Sequence, residues 1–476
     1  MSKTKIVATF GPASESPTVI QSMISEGVNC ARINLSHGDK KGHRKLISKL
    51  KRCRKDLDLP LSIVADTKGS EVRISPINRK KMELKEGDRA NLVTDKSAKK
   101  EGFLVDFPEI GQLLSVGDEV IIGDGDLSLT VTSIGEDLIE CQSLNSGTVS
   151  GRKKITIPGT SFPLPSITDQ DKQDIDFAVS QGVDWIALSF IKKAADIEKA
   201  RSVINRVKSE SENIPIMAKI ETVEAVKNIK DITREADGLM VARGDLAMAL
   251  GMEEVPFLQK RIIRLANEMA KPVVTATQML ETMISAPTPT RAEITDVANA
   301  VLDGTDAVML SGETAIGSYP VKSVITMRKL AEKAESNFPP TNTSGDNLNR
   351  EKNETAPEIG RAACSMAERL EAKAIITSTR SGYTARLISR FRPKVQIIAV
   401  TPSKDVYERL AMVWGVSPVQ VETTRDTDEM IEKSIKSVRQ EGYINQGDLV
   451  VVTAGIPFAV EGTTNLIKVE NVCCEG

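Results

Sequence analysis

Eight short apolar runs alternating with amphipathic stretches, one long connection of different texture, and a further alternating unit near the C-terminus together predict an α/β protein. The expected plan is a (β/α)8 TIM barrel interrupted by an inserted all-β lid domain. A C-terminal α/β domain with a mostly parallel sheet follows.

The apolar runs are Lys5–Phe10, Val28–Leu35, Leu61–Asp66, Trp185–Phe190, Ile214–Ile220, Gly238–Ala242, Pro272–Thr277 and Ala307–Leu310. Between them, Pro17–Glu26, His43–Leu57, Asp169–Gln181, Asp196–Lys208, Val223–Glu235 and Phe257–Ala270 carry apolar residues at helical spacing. A closed parallel barrel requires that alternation. Between Asp66 and Ser166 the texture changes: Gly87-Asp88, Gly117-Asp118 and Gly123-Asp124-Gly125 mark turns, and Glu119–Ile122 and Leu127–Ile134 alternate as strands do. Residues 70–154 therefore read as a separate β domain, with 1–69 and 155–338 forming the barrel. Two hinge-like connections give that domain the form of a lid. Residues 339–354, rich in Pro, Asn, Thr and Ser, read as a linker. Within 355–476 the candidate strands are Ala374–Ser378, Gln396–Val400, Val419–Glu422, Leu449–Thr453 and Leu466–Val469.

With 476 residues the chain exceeds one core. Its 63 basic and 65 acidic residues nearly cancel, which argues against a dedicated nucleic-acid or membrane-surface protein. The basic stretch Lys40–Lys55 spaces Leu46, Ile47 and Leu50 helically and reads as a solvated helix face. No apolar run is long enough to span a bilayer, and the N-terminus enters a strand at once, without the pattern of a signal peptide. Six scattered cysteines, with no Cys-x-x-Cys pair and a vicinal Cys473-Cys474, favour a reduced cytoplasmic protein without zinc or disulfide scaffolding.

The chemistry concentrates at strand tips. Lys219 and Glu221 lie two apart and share one face of a strand, and Asp245 follows the next strand. Glu221 and Asp245 offer two hard oxygen ligands suited to Mg2+ or Mn2+, with water and substrate oxygens completing the shell. A cation beside them suits phosphoryl transfer between polyanions, which demands charge neutralisation and positioning. Lys219 would stabilise the phosphoryl group in flight; a general-acid role would need a lowered pKa. Arg32 and Arg73 are forked donors for phosphate oxygens. In Ala242-Arg243-Gly244-Asp245, the glycine lets backbone amides approach an anion. Asn34, Ser36, Asp66 and Thr67 present one charged and three neutral oxygens, an inventory for a weakly held monovalent cation.

One family shows these residues in this order. Thr4-Lys-Ile-Val-Ala-Thr-Phe-Gly-Pro12, Ala31-Arg-Ile-Asn-Leu-Ser-His-Gly38, Asp66-Thr-Lys-Gly-Ser-Glu-Val-Arg73, Met217-Ala-Lys-Ile-Glu221, Met240-Val-Ala-Arg-Gly-Asp245, Ala276-Thr-Gln-Met-Leu-Glu281, Pro289-Thr-Arg-Ala-Glu293 and Met309-Leu-Ser-Gly-Glu-Thr314 resemble the pyruvate kinase family. The resemblance covers nearly the entire chain. It implies transfer of the phosphoryl group of phosphoenolpyruvate to ADP, the final step of glycolysis, with Glu221 and Asp245 on Mg2+. It also implies that Arg32 and Arg73 lie near the phosphate, and that the Gly244 region and Thr277 hold the substrate carboxylate.

K+ would sit at Asn34, Ser36, Asp66 and Thr67. Members that need no K+ tend to carry Lys where this chain has Glu71, so K+ dependence is expected. Thr277, Ser311 and Glu313 are candidates for ordering a water chain that protonates enolpyruvate. In the inserted domain, Asp124 stands where paired aspartates are more usual. Lys153 sits where a substrate-closing lysine is expected, although Arg152-Lys-Lys154 leaves that alignment open by one residue.

Ser378, Thr379, Arg380, Ser381, Gly382 and Thr384 resemble the family's effector-phosphate loop, which implies a sugar-phosphate or nucleotide activator. Ala454–Thr464 lacks the Trp and Arg-Pro-Gly pattern of members regulated by fructose 1,6-bisphosphate. A homotetramer is also implied. Ser70 stands where proline is usual, and Thr275 where cysteine is common. Two other classes fit parts of the pattern: a metal-assisted lyase or aldolase with no need of ADP, and a non-catalytic ligand sensor using the C-terminal loop. The intact set Lys219, Glu221, Asp245 and Thr277 weighs against the sensor.

Overall fold

The first of the expected apolar runs pairs with the last. Lys5–Thr9 lies between Ala307–Leu310 and Cys30–Asn34, and the circle closes through Ser62–Asp66, Trp185–Leu188, Ile216–Ile220, Gly238–Ala242 and Val273–Ala276, all parallel. The computed structural model describes residues 2–77, 81–95, 101–207, 214–337, 355–456 and 464–473. The expected linker 339–354 and Cys474 lie outside the described residues. Among those described, no helix is long and apolar enough to cross a membrane.

Helices begin where side chains satisfy their free amides. Thr168 and Asp171 form a reciprocal capping box before Asp169–Ser180, and Thr290 and Glu293 do the same before Arg291–Leu302. Asp171 has a second duty, since its Oδ1 accepts from Gly69 N (2.8 Å) at the entrance to the inserted domain. Asp39 caps the basic helix Lys40–Leu57, which buries Leu46, Ile47, Leu50 and Cys53 and turns its charges outward. The expected helix Val223–Glu235 is broken at Asn228 into Val223–Lys227 and Ile229–Glu235.

Inside the barrel, Val7, Cys30, Val64, Trp185, Met217, Met240, Val274 and Met309 fill the lumen, and Met412 from the C-terminal domain plugs its floor. The insertion is itself a closed barrel of seven strands, with Arg73–Pro76 and Lys153–Thr156 adjacent and carrying the chain in and out. Its separate core includes Phe103, Ile110, Leu127 and Leu129.

The C-terminal sheet runs in the order Val416–Gln420, Gln396–Thr401, Ala374–Ser378, Leu449–Ala454, Leu466–Asn471, with the last strand antiparallel. One expected strand moves: Val419–Glu422 is observed as Val416–Gln420. Pro418 argues against a central strand, but here the strand is an edge and tolerates it. Pairing starts directly after the left-handed Gly415 (φ +67°).

The barrel floor and the C-terminal domain meet through buried charges. Arg392 grips Asp306 with both nitrogens (3.1 and 3.2 Å). Arg54 serves two carboxylates, Asp184 at 2.8 Å and Glu408 at 3.3 Å. Burial, reinforced by Asp184 and opposed by Arg54, pushes the Glu408 carboxyl up to about 7; burial also raises Asp184. A carboxyl raised on folding takes up its proton at higher pH in the folded chain than in the unfolded one. Folding is thus favoured as pH falls through 7 and disfavoured above it. The thermal midpoint should rise from pH 8 to pH 6. Glu408→Gln, which keeps an acceptor for Leu61 N, should raise the pH 8 midpoint and flatten that slope; an unchanged slope in calorimetry would rule Glu408 out as its source.

Candidate active site

Alternation along the barrel strands delivers the site. Cys30, Val64, Ala187, Met217 and Met309 face the lumen, and two residues further on Arg32, Asp66, Ser189, Lys219 and Ser311 form the next layer toward the C-terminal mouth. The structure brings Arg32, Asp66, Lys219 and Glu221 into one connected network. Arg32 Nε lies 2.7 Å from Asp66 Oδ2, and its Nη1 donates to Thr9 Oγ1 (3.0 Å). Lys219 Nζ sits 3.2 Å from Asp66 Oδ1 and 3.0 Å from Glu221 Oε1, and donates to Ser189 Oγ at 2.7 Å.

Burial works against the Lys219 ammonium, but Asp66 and Glu221 outweigh it and hold its pKa above the ordinary lysine range. Lys219 is therefore a fixed cation, and the lowered pKa that a general acid needs is absent. Burial likewise opposes the Asp66 carboxylate, yet Lys219 and Arg32 keep it below the usual range.

Glu221 is almost fully buried. Its Oε2 accepts from Phe190 N (2.7 Å), while the buried Oε1 faces Lys219 Nζ at 3.0 Å as an ion pair. Burial, together with the neighbouring Asp245, raises the Glu221 carboxyl. Burial acts the same way on Asp245, but Lys154, bonded to its Oδ1, outweighs it and holds that carboxyl low. Two carboxylates lining one pocket and interacting with each other offer hard oxygen donors that fit a divalent ion such as Mg2+. Among the described residues no third His, Cys, Asp or Glu joins them, so water and substrate oxygens would complete the shell.

The lysine from the inserted domain is thus Lys154, one place beyond the expected Lys153. Lys153 pairs instead with Asp126 (2.9 Å). Adjacent strand residues face opposite sides, so a one-residue ambiguity in sequence becomes a choice of face. Arg73 is drawn to Glu71 (Nε–Oε2 2.9 Å), outside the Lys219 network. Asp124 is exposed, close enough to Glu281 across the mouth to contribute, after burial and Glu313, to raising that carboxyl.

Gly244 and Asp245 lie in the first turn of Arg243–Leu250, and Gly244 N donates to Thr277 Oγ1 (3.0 Å). The Arg243 side chain turns away from the mouth. It gathers the carbonyls of Ala276, Thr277 and Gln278 and pairs with Asp296 (2.6 Å). Thr277 and Gln278 both adopt left-handed backbone (φ +63° and +53°). Phe190 does so too (φ +54°), at a cost on the order of 1–3 kcal/mol for a bulky residue. Both Glu313 oxygens accept backbone amides, from Leu280 (3.0 Å) and Ser311 (2.7 Å), whereas Ser311 Oγ is buried without a partner. Glu313 braces the loop and leaves Ser311 as the hydroxyl with free capacity.

Asn34 and Asp66 are register neighbours. Asn34 Oδ1 accepts from Ser36 N (3.1 Å), and Thr67 O accepts from Ser189 Oγ (2.7 Å). In the C-terminal domain, Thr379 Oγ1 accepts from Gly382 N (2.9 Å) and Thr384 bonds Thr464 (2.9 Å), with Ser378 ending its strand and Arg380 exposed. Arg386 Nη1 donates to Ser381 O (3.3 Å). Most of Ala454–Thr464 lies outside the described residues. Lys154 and Phe190 were missed in sequence. The first was within reach of the ambiguous Lys run; the second, an apolar residue after a strand, gave no signal.

Comparison with known proteins agrees with this fold. Residues 1–324 match the family model described as pyruvate kinase, barrel domain, and residues 357–470 the model described as pyruvate kinase, alpha/beta domain. A pyruvate kinase of Clostridium acetobutylicum is 42% identical over 474 residues, covering 99% of this chain and 100% of the relative. One from Geobacillus stearothermophilus is 41% identical, covering 98% of this chain and 80% of its own length. The crystal structure of a pyruvate kinase from Cryptosporidium parvum superposes with a TM-score of 0.92 at 37% identity, over 99% of this chain and 96% of that one. With both domain models matched and relatives similar from end to end, the chain belongs to the pyruvate kinase family of phosphotransferases.

Proposed function

We propose that the chain transfers the phosphoryl group of phosphoenolpyruvate to ADP, giving pyruvate and ATP, with Mg2+ (or Mn2+) at Glu221 and Asp245 and K+ at Asn34, Ser36, Asp66 and Thr67. Charge balance at the mouth carries this reading. Arg32, Lys219 and Lys154 face Asp66, Glu221 and Asp245, three cations against three carboxylates. A substrate bearing phosphate and carboxylate therefore needs added positive charge. Glu221 and Asp245 would hold a divalent ion, which would supply that charge to the substrate.

The residues then divide the work. Lys219 neutralises the phosphoryl group as an ADP oxygen bonds to phosphorus and the bond to the enolate oxygen breaks. Arg32 steadies Asp66 beside it, and Arg73, on the first strand of the lid and paired with Glu71, is assigned to the nucleotide phosphates. Amides opening Arg243–Leu250, with Thr277, bind the substrate carboxylate. Thr277 and Ser311 order the water that protonates the enolate carbon, and Glu313 holds their loop. Lys154 moves with the lid, and Glu71, paired to Arg73, supplies no spare cation in place of K+. The Ser378–Thr384 loop is read as the site of a sugar-phosphate or nucleotide activator, and the assembly as a homotetramer.

A coupled assay for pyruvate tests this reading. Turnover should need ADP and a divalent ion and should rise with K+; equal rates without K+ would remove the monovalent site but not the kinase. Lys219→Met should lower kcat on the order of 10³-fold, losing charge aimed at the transition state. Far-UV circular dichroism should stay native, and a variant within tenfold of wild type would contradict the role. Lys154→Met should cost at least about tenfold in kcat/KM and Lys153→Met less than about threefold, since only the former touches a proposed ligand. The reverse order would restore Lys153.

A further inference from the structure

Phe190 stands where four parts of the site meet. Its amide donates to Glu221 Oε2 at 2.7 Å, and its ring centroid lies 4.8 Å from Lys154 Nζ. Lys154 Nζ bonds Asp245 at the same time. Where the chain enters the inserted domain, Gly69 packs so tightly that an added Cβ would lie 2.6 Å from Phe190 Cδ2. The preceding residue, Ser189, receives the Lys219 hydrogen bond.

The left-handed backbone makes this possible. At φ +54° the N–H and the Cβ of one residue diverge, so the amide serves the barrel carboxylate while the ring serves the lid. At the usual negative φ they point to similar sides, and one contact would be lost. A bulky residue is held in that conformation only where its surroundings over-determine it, and such strain gathers at functional sites. Here the surroundings are Glu221, Gly69 and Lys154.

We infer that Phe190 is a positioning residue for the reaction: its amide fixes Glu221, and its ring seats the lid lysine Lys154 on Asp245, tying lid position to the metal carboxylates. This rests on the reading of Glu221 and Asp245 as metal ligands and Lys154 as the closing lysine. The ring face carries negative potential, so an ammonium is drawn over it, most strongly where water is excluded. The same ring bears on the hinge at Gly69. A lid that swings open lifts Lys154 from ring and carboxylate together.

A double-mutant cycle between Phe190 and Lys154 tests this. Phe190→Leu should lower kcat/KM about tenfold, and Phe190→Tyr, which keeps the ring, should recover most of it. If the ring acts through Lys154, Phe190→Leu with Lys154→Met should be no worse than Lys154→Met alone, within about twofold. Multiplying effects, or a Phe190→Leu variant equal to wild type, would overturn the inference. Hydrogen exchange at Gly69–Val72 and Lys153–Thr156 provides a readout independent of turnover. Each single variant should raise exchange there, and the double variant should go no further; unchanged exchange in Phe190→Leu would also overturn it. An inactive wild type would sink the proposed reaction, while exchange would still decide the role of Phe190. Should Phe190→Leu not fold, Phe190→Asn, which tolerates left-handed backbone, takes its place in both measurements.

Discussion

Everything at the mouth depends on one buried ammonium. Lys219 is shared between Asp66 and Glu221 and anchored by Ser189, so three strand tips converge on a single nitrogen. Buried carboxylates without such a partner would neutralise or disrupt the fold. With it Asp66 is held below the usual carboxylate range and Glu221, though pushed up by burial, is kept beside it, so the groups of the site are fixed in place. Water would have to reorganise to do the same, and that difference is how a preorganised site lowers a barrier.

The inserted barrel completes this arrangement from outside. Lys154 brings a cation from a different domain to Asp245, so the charge of the site depends on where that domain stands. Its only covalent ties run through Gly69–Val72 and Ile155–Thr160, and the first is gripped by Asp171, a residue that also caps a barrel helix. Hinge and helix start share one carboxylate. The entry to the inserted domain is thereby tied to a rigid element of the barrel.

Much of this was legible in sequence because strands and charge leave periodic marks. The spacing of Lys219 and Glu221 alone puts them on one face, and the apolar runs located every barrel strand. What escaped was set by tertiary context. Lys153 and Lys154 differ only in which face of a strand they occupy, and that is fixed by pairing with Arg73–Pro76, not by either residue. The Ala242–Asp245 turn reads as a source of backbone amides, and what sequence does not show is that the Arg243 guanidinium beside them gathers three carbonyls of a loop thirty-odd residues away. Glu313 reads with Thr277 and Ser311 as ordering water, and sequence does not show that each of its oxygens also accepts a backbone amide. Side chains that brace a strained loop and side chains that act on a substrate have the same composition.

Strain and support lie at opposite ends of the barrel. Phe190, Thr277 and Gln278 hold left-handed backbone at the mouth, whereas the floor is closed by Met412 and by ion pairs to the C-terminal domain. A left-handed Phe or Thr relaxes unless the strands beneath it are fixed in register. The floor supplies that fixity: Asp306 ties Val273 N to Arg392 and Trp414 N, and Val273–Ala276 is the strand that ends at Thr277. The C-terminal domain is thus bonded to the base of more than one strand that ends at the mouth, to Val273–Ala276 through Asp306 and to Ser62–Asp66 through Glu408.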